Sequence, residues 1–97
     1  MIARDNDTLR VSAPMLIGNA ADLLAAGRDS LRSVPPSERV LIDLGQVQEV
    51  DSSALSVVFA WLRTAARQGV GVRLVNPPAS MLSLAELYGV SELLPLA

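Results

Sequence analysis

Val40-Leu41-Ile42-Asp43-Leu44, followed after a short connection by Val50-Asp51-Ser52-Ser53-Ala54-Leu55, is the stretch that decides the fold. The first run is short, nearly continuous in apolar character and made of strand-forming residues, the pattern of a central strand buried on both faces. Strands of that kind pair in parallel and need crossover connections. Gly45 to Val50 supplies the connection, and a helix then runs from about Ser53 to Arg67 and stops at Gln68-Gly69.

The pattern repeats outward from there. Val70-Gly71-Val72-Arg73-Leu74-Val75 reads as another strand. Asn76-Pro77-Pro78 opens a third helix with Pro in its first turn, carrying Met81, Leu82, Leu84, Ala85 and Tyr88 up to Gly89, with Ser91 placed to cap one last turn. On the N-terminal side, Thr8-Leu9-Arg10-Val11 alternates polar and apolar residues, as a half-buried strand at the sheet edge does, and Pro14 limits its extension. Asn19 is placed as a helix N-cap. Ala20, Leu23, Leu24, Gly27, Leu31 and Val34 then recur at helical spacing until Pro35-Pro36. Strand, helix, strand, helix, strand, helix is the order of an α/β domain with right-handed crossovers. The expected architecture is one domain over residues 1–97: a small, mostly parallel sheet with an edge strand, flanked by three main helices and a short C-terminal turn.

Ninety-seven residues suit one core, and 51% hydrophobic against 19% charged residues is far from the composition of disorder. A mean hydropathy of +0.38 is high for so small a domain and predicts apolar surface that meets a partner. The chain has no Cys and no His, and all eight basic residues are Arg. Without Cys there is no thiol nucleophile or thiolate metal site, and without His the commonest general base and zinc ligand are missing. Without Lys there is no phosphate-cradling P-loop side chain. No enzyme activity, cofactor or metal is expected. The formal charge is −2 and the Arg residues are scattered along the sequence, which predicts no nucleic-acid partner. The apolar run from Val57 to Leu62 is about half the length that crosses a bilayer, so no direct membrane insertion is expected. Acids stand in Met1-Ile2-Ala3-Arg4-Asp5-Asn6-Asp7 where a secretory signal has a positive start, and a cytoplasmic location follows as the expectation.

The junction Asp51-Ser52-Ser53 is where chemistry concentrates. Three small polar residues there satisfy the unpaired N–H groups of a helix start, and Asp51 complements the helix dipole. On those grounds the junction is a well-capped helix start. The helix behind it carries more apolar surface than a core stripe needs. Leu55, Val58, Phe59, Leu62 and Ala66 form one stripe, assigned to the core, and Ala54, Val57, Trp61 and Ala65 form a second beside it. Together they span roughly 200°. Either neighbouring helices cover the excess, or it forms a docking patch running down from Ser52 with Trp61 as anchor. The candidate partner-binding set is Asp51, Ser52, Ser53, Ala54, Val57 and Trp61, and weak self-association through the same face is expected.

The same stretch, with its Asp-Ser-Ser-Ala-Leu junction, resembles the signature of STAS domains, the module of sulfate transporters and anti-sigma-factor antagonists. The resemblance covers nearly the whole chain. It implies a small sheet flanked by helices, with the junction as the surface that meets a partner protein. Ala54 stands where the family usually has Gly, and Ser12-Ala13-Pro14-Met15-Leu16 replaces the usual Gly-acid-Leu-Asp turn. Leu84-Ala85-Glu86-Leu87-Tyr88-Gly89-Val90 with Leu93-Leu94-Pro95 is similar to the C-terminal end of the STAS subunits of bacterial ABC transporters that move phospholipids between the two envelope membranes. That likeness implies an accessory subunit bound to the transporter's ATPase subunit, peripheral to the inner membrane through this partner. The antagonist branch implies instead a partner-switching protein phosphorylated on Ser52.

Overall fold

Two successive crossovers in one direction set the architecture of the computed structural model, which describes residues 1–97. The elements are β1 (Ile2–Asp5), β2 (Thr8–Val11), α1 (Ala20–Arg32), β3 (Arg39–Asp43), α2 (Ser52–Arg67), β4 (Gly71–Val75) and α3 (Ala79–Leu87). Single 3₁₀ turns lie at Ile17–Asn19 and Ser91–Leu93. The sheet order is β1-β2-β3-β4, antiparallel between β1 and β2 and parallel elsewhere. The α/β class, the mostly parallel sheet and the three helices agree with the sequence pattern.

The edge strand is a correction. Thr8–Val11 was expected at the sheet edge, but it lies between β1 and β3, and Ile2–Asp5 forms the edge. Ile2 is the only large apolar residue of β1, so alternation gave no signal there. The usable signal was the two-residue connection Asn6-Asp7. Asn6 has φ +55°, a left-handed conformation that Asn adopts more readily than most residues and that tight hairpins require.

Because β2, β3 and β4 follow one another across the sheet, right-handed crossovers carry α1 and α2 over the same face. Leu9, Val11, Val40, Ile42 and Leu74 are buried beneath them, whereas Thr8, Arg10, Leu41 and Asp43 on the opposite face are half-buried and Arg73 is exposed. The expectation that Val40–Leu44 is buried on both faces is therefore overturned. Asp43 stays on the open face, paired with Arg10 at 3.5 Å and accepting hydrogen bonds from Gly45 N and Asn76 Nδ2. These donors, the Gly45 N–H foremost, hold its carboxyl below the usual range. The outer side of β4 is covered by the C-terminal segment: Leu74 N–H donates to Pro95 O at 2.8 Å and Ala97 N–H to Leu74 O at 3.0 Å.

Helix ends follow the sequence with small differences. Asn19 occupies the N-cap position of α1, but its side chain holds the preceding turn, accepting from Leu16 N–H at 3.0 Å and donating to Pro14 O. Ser91 begins the last 3₁₀ turn rather than capping it. Gly69, at φ +72°, ends α2 where a side chain would be strained.

α1 and α2 meet through Gly27 and Trp61. Trp61 is 1% exposed, and its indole N–H donates to Leu24 O at 3.3 Å. A methyl group on Gly27 would overlap the indole ring. Gly27→Ala should gain about 0.5–1 kcal/mol of helix propensity. It should lose more by overpacking, about 1–3 kcal/mol. Urea unfolding followed by the fluorescence of the single Trp should therefore show a net loss of stability.

Candidate functional site

The segment after β2 is tied to the segment before α2, and this fixes the junction in place. Met15 pairs with Val50 in an isolated parallel bridge, with Met15 N–H donating to Glu49 O at 2.9 Å and Asp51 N–H to Met15 O at 3.2 Å. Asp51 then caps α2 from an extended backbone conformation (φ −127°, ψ −172°). One carboxylate oxygen accepts from Ser53 N–H at 2.9 Å and from the Ser53 hydroxyl. The other accepts from Ile17 N–H at 2.9 Å, across 34 residues of chain. A single carboxylate thus caps the helix and closes the loop in front of it.

These donors favour the ionised form. The Ser53 hydroxyl contributes most, followed by the Ile17 N–H, and together with the Ser53 N–H they hold the Asp51 carboxyl below its ordinary range against the opposing effect of desolvation. With the Ser53 hydroxyl committed to Asp51, the exposed Ser52 hydroxyl points outward at the helix start.

The structure divides the expected partner-binding set. Asp51 and Ser53 are half-buried and Ser52 is exposed, so these three share the surface end of α2. Ala54, Val57 and Trp61 do not join them, being 0%, 4% and 1% exposed. Both apolar stripes of α2 face inward in part, and the buried arc is centred on Ala54, Val57, Val58, Trp61 and Ala65. Phe59 and Leu62 are half-buried and Ala66 is exposed. The excess apolar arc is covered by α1. Trp61 is a core residue and is not presented as a surface anchor.

Residues missed by sequence reasoning lie beside the junction instead. Ile17, Ser56, Phe59 and Tyr88 join Ser52 and Ser53 around a shallow groove between the start of α2 and the end of α3. Ile17 is 77% and Tyr88 57% exposed, and these two bring apolar surface to the groove that lies open to water. The available signals were the apolar run Met15-Leu16-Ile17 just after Pro14 and the Tyr88 next to the helix stop Gly89. That Ile17 and Tyr88 line one groove depends on the packing of α3 against α2. The groove has hydroxyls at its base, apolar walls and no titratable cluster.

Solved structures share the fold of this α/β domain with its capped, hydroxyl-bearing helix start. A protein described as an anti-sigma factor antagonist, from Thermotoga maritima, superimposes with a TM-score of 0.77 at 18% identity, covering 99% of this chain and 83% of that one. The anti-sigma factor antagonist SpoIIAA in its unphosphorylated form gives 0.65 at 13% identity over 90% of this chain and 81% of that one. A sulfate transporter family protein from Wolinella succinogenes gives 0.68 at 15% identity over 91% and 70%. The family model described as "Mlab, STAS domain" matches residues 2–95, and the chain belongs to this MlaB-type STAS family. The intermembrane phospholipid transport system binding protein MlaB of Haemophilus influenzae is 36% identical over 50 residues, 52% of this chain and 48% of that protein, so the match spans about half the length of this relative. No helix is long and apolar enough to cross a membrane.

Two outcomes follow from the site geometry. The lowered Asp51 pKa means that its contribution to stability is fully present above the unfolded carboxylate value of about 3.9 and is lost as pH falls through the lower folded value. Asp51→Asn should be less stable than the wild type at neutral pH, with the gap closing below about pH 4 in acid-unfolding curves. Trp61→Ala should cost about 3–5 kcal/mol of folding stability by calorimetry, as emptying a packed core site does.

Proposed function

We propose that the chain is a non-enzymatic accessory subunit that docks on the cytoplasmic ATPase of a lipid-transport ABC complex, through the Asp51-Ser52-Ser53 end of α2, and supports its assembly or activity. The observation that carries this reading is the exposed Ser52 hydroxyl, set at a rigidly capped helix start beside the Ile17–Tyr88 groove, in a chain that matches the MlaB-type family over residues 2–95. The MlaB relative belongs by name to an intermembrane phospholipid transport system. Asp51 keeps the contact end in one conformation before the partner arrives, which lowers the ordering cost of binding. Ser52 offers a donor and acceptor to the partner, and Ile17 and Tyr88 supply apolar area that is otherwise in water. In this reading the protein is cytoplasmic and peripheral to the inner membrane, held there by its partner.

The same exposed hydroxyl favours one other reading, a partner-switching antagonist phosphorylated on Ser52, as the likeness to antagonist folds invites. Phosphate would add about −1.5 to −2 charges next to the Asp51 carboxylate and disrupt a close contact there.

Ser52→Glu should leave the melting temperature near that of the wild type, because a carboxylate is tolerated at a helix N-terminus. It should weaken binding to the ATPase by about tenfold or more, measured by calorimetric titration of the purified subunits. Undiminished binding would reject this docking end. Mass measurement after incubation with a candidate kinase and ATP separates the second reading, which requires added phosphate on Ser52.

A further inference from the structure

Half of the chain's eight arginines, far apart in sequence, meet on the outer surface of the helical layer. Arg28 and Arg32 stand one turn apart on α1, and Arg63 and Arg67 one turn apart on α2. Packing of α1 against α2 sets the two pairs along the α1–α2 groove, in two adjoining depressions that share Arg28. Arg28, Arg32 and Arg67 line its far end with Thr64 and Gln68. Arg28 and Arg63 continue it toward the start of α2, where the lining includes Ile17, Leu24, Ser56, Val57 and Ala60.

Helix-dipole complementarity accounts for Arg32 and Arg67, which lie in the last turns. It does not account for Arg28 and Arg63, a turn earlier. Like charges at i, i+4 oppose helix formation, and both helices repeat that arrangement. Asp29 neutralises only Arg32, accepting from it at 3.0 Å, and no carboxylate pairs with Arg28, Arg63 or Arg67. The chain as a whole is formally −2, so this concentration of positive charge runs against its composition.

We infer that the α1–α2 groove seats an acidic helical segment of the partner protein, its carboxylates against Arg28, Arg32, Arg63 and Arg67 and its apolar start against Leu24 and Ala60. This rests on the proposed docking to an ABC ATPase and extends that contact down the helical layer from Ser53 and Ser56. Planar guanidinium groups on two walls match carboxylates bidentately. A flat anionic membrane would instead be met by basic residues interleaved with large apolar ones, as on an interfacial helix. Of the large exposed apolar residues, Leu87, Tyr88, Leu93 and Leu96 lie on α3 and the C-terminal segment; Ile17 lines the groove with Arg28 and Arg63, one apolar side chain rather than an interleaved series.

The test uses the full chain, its Arg63→Glu/Arg67→Glu variant and the milder Arg63→Ala/Arg67→Ala variant. Each is titrated against the purified ATPase at about 50 mM and about 500 mM salt, since screening weakens exposed charge contacts. Both positions are exposed, so all three proteins should stay folded, with the glutamate variant melting slightly lower because a carboxylate in the last turn opposes the helix dipole. The expected result is binding weakened about tenfold or more by charge reversal at low salt, less by the alanines, with the difference shrinking at high salt. Wild-type binding unchanged by either variant would overturn the groove assignment and leave the docking role standing. Failure of the wild type to bind the ATPase would overturn both. Sedimentation with vesicles containing phosphatidylglycerol that is lost on charge reversal would overturn the protein segment in favour of a lipid surface.

Discussion

The seating of the Trp61 indole over Gly27 is the contact on which the rest of the arrangement depends. With no side chain at Gly27, α1 and α2 approach closely enough for the largest side chain of the chain to be 1% exposed, its N–H satisfied by Leu24 O. The two helices cover the same sheet face because both crossovers run the same way. Their shared spacing and direction then settle three things together. The apolar arc of α2 is closed off, the starts of both helices lie at one end of the domain, and the arginines of their later turns face one another.

At the end where the helices start, local chemistry and long-range geometry are carried by one group. Asp51 caps α2 as a short polar residue before a helix should, but its second oxygen reaches the Ile17 N–H and so fixes the loop that precedes α1. Consequently Ile17, 77% exposed, is held beside Ser52 and Ser53 instead of folding under the helices. The commitment of the Ser53 hydroxyl to Asp51 makes the two serines unequal: one is part of the scaffold, the other is presented. A contact site built this way has little to order on binding.

The helical and strand periodicities were legible because each reports on local burial. Leu9 and Val11, Val40 and Ile42, and Leu23, Gly27 and Leu31 all face the core where their spacing put them. Glycine and proline punctuation likewise marked the end of α2 and the start of α3 within a residue or two. β1 was not legible, because a hairpin edge strand with one large apolar residue has no period to read and is held by backbone pairing to β2.

By itself, then, the sequence determined the order of elements, the α/β class, the parallel pairing and the Asp51-Ser52-Ser53 helix start, since each follows from residue types within a few positions of one another. Only the tertiary structure decided which part of the wide apolar arc of α2 is core, that one face of the sheet stays open, and that Ile17 and Tyr88 flank Ser52. It alone also gathered Arg28, Arg32, Arg63 and Arg67 from two helices into one groove. The physical reason is the same in each case. A helix shows from its own sequence how much of it is apolar, but which side is covered depends on the neighbour that packs there, and that neighbour is set by crossover handedness and by the notch at Gly27.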